Sequence, residues 1–358
     1  MDVRALIKKE VLGQKAYAVD LSDCPVKLDA NENPHRLSPA AATVLHDALR
    51  DVALNRYPDP EARTLRDRLS ALYGVPREMI LAGNGSDELI QILLAVLRTG
   101  REGGGVLLPV PTFAMYGITA VNMGHRVTEV PLDGDFDLPD GFAGRWVKGE
   151  NPDIVFLAYP NNPTGNCFSR GKMEEILDAA KGFVVVDEAY GPFSGKTFLP
   201  EVERRENLII LRTFSKVGFA AIRLGVLIGS PVLLGELNKV RLPYNLNALT
   251  QAMGVRLLDH GEELDRQVLA IVKGREELFR ELQKMEGIRP FPSDANFILF
   301  RCAYDKDRVY KGLLERGVLV KSFASPPVLR DCFRVSVGTE EENRAFVAAL
   351  HDVVGTCR

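Results

Sequence analysis

Along the middle of the chain, short apolar runs recur, and each ends abruptly in polar residues. Val106–Leu108 gives way to Pro109-Val110-Pro111, and Ile154–Ala158 to Tyr159-Pro160-Asn161-Asn162-Pro163. Phe183–Val186 ends in Asp187-Glu188-Ala189-Tyr190, and Leu208–Leu211 in Arg212-Thr213-Phe214-Ser215-Lys216; Leu224–Ile228 follows. The runs are rich in Val, Ile and Leu and lack polar alternation. That is the pattern of strands buried on both faces of a mostly parallel sheet. Helical patterns such as Glu88–Leu97 and Lys172–Ala180 lie between them.

Past about residue 245 the pattern changes. A long helical stretch runs from Asn247 to about Met285, with interruptions expected at Gly254 and Gly261. Phe297–Phe300, Val318–Val320 and Phe333–Val337 then read as strands with helices between and after them, an α+β arrangement. The expected division is an N-terminal arm (1–40) packing with the small domain, a large α/β domain (41–245) and a smaller C-terminal domain (246–358).

Composition narrows the functional classes. The chain has 358 residues, 45 basic against 48 acidic, for a net charge of −3. This near balance favours neither a nucleic-acid nor a membrane-surface partner. Five scattered cysteines, none in a C-x-x-C pair, match no zinc motif and fit a reducing compartment, so a cytoplasmic protein without a metal is expected. The start, Met1-Asp2-Val3-Arg4, lacks the apolar core of a signal peptide, and no apolar stretch is long enough for a spanning helix.

In a parallel sheet, ligand-contacting groups gather beyond the carboxyl ends of the strands. Asn162, Asp187, Tyr190, Ser215 and Lys216 all fall there. A lysine directly after a buried strand is suited to form a Schiff base with an aldehyde; taken alone it also reads as a surface lysine. Asp187 closes an apolar strand, where a carboxylate needs a cationic or donor partner, and a protonated pyridine nitrogen or an ordinary loop salt bridge would serve. Gly83-Asn84-Gly85-Ser86-Asp87-Glu88 follows a strand-like segment and opens a helix, a setting for one phosphate or for a plain N-cap by Ser86. It lacks the third glycine of the dinucleotide fingerprint. Arg223 is placed to pair with that phosphate. Arg334, inside Cys332-Phe333-Arg334-Val335-Ser336-Val337, suits bidentate pairing with a carboxylate, from a ligand or from its own domain.

Taken in order, Tyr159-Pro160-Asn161-Asn162-Pro163-Thr164-Gly165, Asp187-Glu188-Ala189-Tyr190, Thr213-Phe214-Ser215-Lys216 and Arg334-Val335-Ser336-Val337-Gly338-Thr339 resemble fold-type I aminotransferases. Leu28-Asp29-Ala30-Asn31-Glu32-Asn33-Pro34 and Asn55-Arg56-Tyr57-Pro58-Asp59-Pro60 resemble the histidinol-phosphate aminotransferase branch. The resemblance implies a homodimeric enzyme that uses pyridoxal 5′-phosphate (PLP) and exchanges an amino group between glutamate and a phosphorylated imidazole substrate. An aromatic amino-acid aminotransferase and a phospho-amino-acid decarboxylase of the cobalamin pathway share these motifs. It also implies roles for individual residues. Lys216 is the Schiff-base lysine, Asp187 pairs with the pyridine nitrogen, and Asn162 and Tyr190 bind the phenolic oxygen. Phe113 stacks on the ring. Ser86, Asp87, Ser215 and Arg223 hold the phosphate, with Tyr57 reaching the other subunit's cofactor. Arg334 grips the α-carboxylate, and Tyr17 and Lys321 meet the substrate phosphate. This chain departs from the family in three places: the seven-residue step from Lys216 to Arg223 is one shorter, Phe113 stands where tyrosine is common, and Lys321 stands where an arginine is expected.

Overall fold

The computed structural model describes residues 1–14, 16, 20, 22–100 and 103–356. Twelve strands are found among them: β1 (Val26–Leu28), β2 (Ile80–Asn84), β3 (Val106–Val110), β4 (Val127–Pro131), β5 (Ile154–Ala158), β6 (Phe183–Asp187), β7 (Leu208–Thr213), β8 (Leu224–Ile228), β9 (Ile288–Pro290), β10 (Phe297–Cys302), β11 (Val318–Ser322) and β12 (Cys332–Ser336). They form a seven-stranded sheet, β2-β8-β7-β6-β5-β3-β4, and a five-stranded sheet, β1-β11-β12-β10-β9.

The large sheet is parallel except for β8, which runs against both its neighbours. Alternate residues of its strands feed two separate cores. Val155, Leu157, Val184, Val186 and Ile210 pack on one face; Ile154, Phe156, Val185, Ile209 and Leu211 pack on the other. Both faces are covered, which is why these strands read as unbroken apolar runs. Strand β4 is different. Its Val-Thr-Glu-Val-Pro sequence lies at the sheet edge and buries only Val130, so polar residues are tolerated there.

The small sheet buries Leu28, Val320, Phe333 and Val335 against helices Lys306–Glu315 and Glu340–Thr356. The N-terminal segment joins this sheet, because β1 pairs in parallel with β11. Helix Gly261–Gln283 spans the two halves. Its Leu264, Val268 and Ile271 enter the core of the large sheet, while Leu278 and Leu282 enter that of the small one. Ser38 caps helix Pro39–Arg50 through the Ala41 N–H, and its hydroxyl also donates to Glu263 at 2.7 Å, tying the arm to the spanning helix.

Gly254 does not interrupt its helix, contrary to the sequence expectation. Helix Ala248–Leu257 runs through it, capped by Asn247. The glycine is a contact point: a Cβ there would come within 3.0 Å of Leu65 and 3.2 Å of Leu224. The helical stretch breaks instead at the 3₁₀ turn Leu258–His260, just before Gly261. Among the described residues no helix is long and apolar enough to cross a membrane, and no cluster of His, Cys, Asp and Glu is arranged to hold a metal.

Candidate active site

Strands β5, β6 and β7 are parallel neighbours, so their carboxyl ends open on one rim of the sheet. Strand β8 is reversed, which brings the residue before it, Arg223, to that same rim. The pairing of Asn84 with Leu224 then places Gly85 and Ser86 beside it. A cavity of about 970 Å³ lies here, between the large sheet and the small one. It is lined by Ser86, Asp87, Phe113, Asn162, Asp187, Tyr190, Ser215, Lys216, Arg223, Lys321 and Arg334.

Asp187 stands at the base of the cavity, 5% exposed. Burial, the largest influence on it, pushes its pKa up to about 6, opposed by hydrogen bonds from the Tyr116 hydroxyl (2.6 Å) and the Ala189 N–H (2.9 Å). Tyr116 is itself fully enclosed and lies flat against Phe156 at 4.7 Å, and burial raises its pKa well above the usual phenol value. The adjacent Glu188 has the opposite situation. It accepts from Arg212 at 2.6 Å, from the Thr197 hydroxyl at 2.8 Å and from the Phe198 N–H at 2.7 Å. Of two neighbouring acids, Glu188 is saturated by protein donors, whereas Asp187 has no cationic partner among the described residues.

Lys216 follows β7 in a 3₁₀ turn and reaches across the cavity, its Nζ 3.4 Å from the Ala30 carbonyl and 5.9 Å from the centre of the Tyr190 ring. The Tyr190 hydroxyl accepts from Asn31 Nδ2 at 2.9 Å and so keeps its own proton to donate. Asn31 has φ 55° and is held by three further contacts: its N–H donates to Ser336, its side-chain oxygen accepts from Ser336, and its carbonyl accepts from Asn296.

At the opposite end, helix Ser86–Val96 starts with its first-turn N–H groups facing the rim. Gly85 precedes it with φ 83°, and a Cβ there would lie 2.6 Å from Arg223 Nη2. Arg223, also left-handed at φ 51°, contacts Asp87 and Ser215 only at 3.5 Å. Together these groups form a cradle rich in donors for an anion.

The third corner faces the small sheet. Arg334 is 9% exposed, and its guanidinium donates to the Asn162 side-chain oxygen and, at 2.7 Å, to the Asp29 carbonyl. It stacks over Phe297 at 5.3 Å. Lys321 is its cross-strand partner in β11. Phe113 stands at the entry to helix Ala114–Asn122, edge-on to Tyr116.

Two of the expected residues stand apart from this group. Tyr57 is 79% exposed and stacks on Tyr244 at 4.5 Å, away from the cavity of its own chain. Tyr17 lies outside the described residues. Three others belong to the site without having been singled out: Tyr116, Asn31 and Asp29. Tyr116 reads in sequence as one more core aromatic of a helix. The polar run Asp29-Ala30-Asn31, directly after an apolar strand, was a signal of the same kind as Asp187.

The profile of the family described as aminotransferase class I and II matches residues 24–350. Over 349 residues the chain is 46% identical to histidinol-phosphate aminotransferase 2 of Nitrosococcus oceani, covering 96% of each. It is 42% identical over 350 residues to histidinol-phosphate aminotransferase of Aquifex aeolicus, covering 98% of each. Its fold superposes with TM-score 0.88, at 23% identity and 98% coverage of both chains, on the histidinol-phosphate aminotransferase from Sinorhizobium meliloti solved in complex with pyridoxal-5′-phosphate. With a match spanning nearly its whole length and relatives this similar, the chain belongs to the aminotransferase class I and II family.

Proposed function

We propose that this protein is a PLP-dependent aminotransferase that exchanges an amino group between histidinol phosphate and 2-oxoglutarate, in histidine synthesis, as a cytoplasmic homodimer. The observation that carries the aminotransferase reading is the grouping of Lys216, Asp187 and Arg334 around one cavity. The substrate reading follows the relatives at 46% and 42% identity.

The residues fit the cofactor. The anion cradle built from Gly85, Ser86, Ser215 and Arg223 suits its phosphate, and Phe113 its ring face. The buried Asp187, without a cationic partner among the described residues, suits its ring nitrogen. Tyr190 and the Asn162 amide suit its phenolic oxygen, and the Lys216 amine its aldehyde. When bound, the cofactor supplies an electron-poor ring that stabilises negative charge at the carbon bearing the amine.

The chain's own groups do the rest. Lys216 Nζ takes the proton from the amine-bearing carbon of the substrate and returns one. Asp187, as the anion, keeps the ring nitrogen protonated. Arg334 grips the α-carboxylate of glutamate, with its orientation fixed by Asn162, the Asp29 carbonyl and Phe297. Histidinol phosphate has no α-carboxylate, so its phosphate takes Arg334 and Lys321, with Tyr17 as a third partner. Tyr57 reaches the partner subunit's cofactor phosphate. Its exposure, together with that of Leu54 and Leu242, supports a face covered by a second copy.

The test is a half-reaction screen of the purified holoenzyme. Histidinol phosphate is expected to react with higher kcat/KM than phenylalanine or tyrosine. Faster reaction of the unphosphorylated aromatic amino acids would make it an aromatic aminotransferase, and release of carbon dioxide from a phospho-amino acid would make it a decarboxylase.

A further inference from the structure

Asp29 is a buried acid of the cavity with no part in the chemistry above. Register places Lys321 opposite Arg334 and Leu28 opposite Val320, so the residue after Leu28 comes beside Lys321. Leu28, Val320, Phe333 and Val335 face the small-sheet core. Side chains alternate along a strand, so Asp29, Lys321 and Arg334 share the other face, toward the cavity that all three line. Asp29 is 7% exposed. Its Oδ1 has no hydrogen-bond partner, and its carboxylate makes no ion pair within 4.0 Å among the described residues. Of the other acids that line the cavity, Asp187 accepts from Tyr116 and Ala189, Asp20 accepts from Ser22 and Tyr310, and Asp87 lies 3.5 Å from Arg223.

A buried carboxylate without a donor is costly, and a ligand N–H would offset that cost. The ligand's anionic group cannot be what meets it, because like charges repel. The position is also specific. The Asp29 carbonyl accepts from Arg334 at 2.7 Å and the Ala30 carbonyl accepts from Lys216 Nζ at 3.4 Å, so Asp29 lies between the anion-gripping corner and the reacting amine. In histidinol phosphate, the N–H groups beyond the reacting amine belong to the imidazole ring. Ile118, Val121 and Phe323 line the same cavity and offer apolar surface to the faces of such a ring.

We propose that the Asp29 carboxylate accepts the ring N–H of the imidazole-bearing substrate and selects it over a phenyl-bearing one. This rests on the substrate reading above. The experiment compares histidinol phosphate with phenylalaninol phosphate, which has a phenyl ring in its place, in wild type, Asp29→Asn and Asp29→Leu. The ratio of kcat/KM between the two substrates is read. Loss of a charge-assisted contact lowers an equilibrium about 10- to 150-fold. That drop in the ratio is expected for Asp29→Leu, and a smaller one for Asp29→Asn, which keeps an acceptor oxygen and nearly the same shape. A purely structural role would lower both substrates in parallel and leave the ratio in place; that result, in either variant, overturns the proposal. A wild-type enzyme that does not prefer the imidazole substrate overturns the substrate reading and this role with it. A preferring wild type with an unmoved ratio in the variants overturns the role of Asp29 alone.

Discussion

Asp187 gives the sharpest quantitative test, because its titration links the site to stability. Its pKa stands at about 6 in the folded chain against an ordinary 3.8, chiefly because burial penalises the anion. Below the ordinary value, folded and unfolded chains both hold the proton. As pH rises from about 4 to about 6 the unfolded chain gives it up first, so the folded state is progressively penalised. Above about 6 both are ionised and the difference stays constant. A displacement of about two pKa units corresponds to roughly 3 kcal/mol lost across that window in the cofactor-free protein. Asp187→Asn keeps the shape and removes the titration. The stability of the variant relative to wild type, measured by urea unfolding at fixed protein concentration, should therefore rise by about that amount between pH 4 and pH 6 and then level off. With PLP present the slope of retention reverses. The ring nitrogen is a cation that needs the ionised acid, so wild type should hold the cofactor more tightly as pH rises from 5 to 7, and Asp187→Asn should show no such gain. A stability difference that stays flat from pH 4 to pH 6 would show that the Tyr116 and Ala189 donors outweigh burial, and would refute the reasoning.

Reduction of the holoenzyme with borohydride should fix the cofactor on the peptide carrying Lys216, and Lys216→Ala should abolish transamination; label on another lysine, found by mass spectrometry, would sink the assignment. Gly85→Ala places a methyl 2.6 Å from Arg223 Nη2 in a backbone region that disfavours side chains, and should lower PLP retention in equilibrium dialysis by tenfold or more, about 1.4 kcal/mol. Light scattering should give a dimer, and Tyr57→Phe should weaken PLP retention by about 1 kcal/mol, one hydrogen bond. Mixing Tyr57→Phe with Lys216→Ala subunits should restore activity, since each mixed dimer holds one site with neither lesion. Lys321→Ala should lower kcat/KM for histidinol phosphate more than for glutamate, whereas Arg334→Ala should lower both; equal losses on Lys321→Ala would remove it from the phosphate subsite.

Residues whose surroundings are set by their own strand were readable from sequence. The runs at β5 and β8 keep their expected limits, Ile154–Ala158 and Leu224–Ile228, because strands buried on both faces exclude polar residues and so read as unbroken apolar runs. Strand β4 escaped notice because an edge strand tolerates Thr128 and Glu129. Gly254 misled for a related reason: glycine breaks helices by propensity, yet here it sits inside a helix at a close approach, where a Cβ would lie 3.0 Å from Leu65 and 3.2 Å from Leu224. The difference between Asp187 and Glu188 could not be read either. They are adjacent and alike in chemistry. Only the distant Arg212 and Thr197, folded against Glu188, decide which acid is left for a ligand.

The segment from Asp29 to Asn31 shows why a site at a junction is hidden in a linear chain. Its main-chain carbonyls meet Arg334 and Lys216, and the Asn31 side chain meets Tyr190, so three residues touch groups that lie 159 to 305 positions away in sequence. The strand just before it is paired into the small sheet, whereas Lys216 and Tyr190 belong to the large one. The guanidinium of Arg334 and the amine of Lys216 are thus bridged by two consecutive peptide groups, through the carbonyls of Asp29 and Ala30.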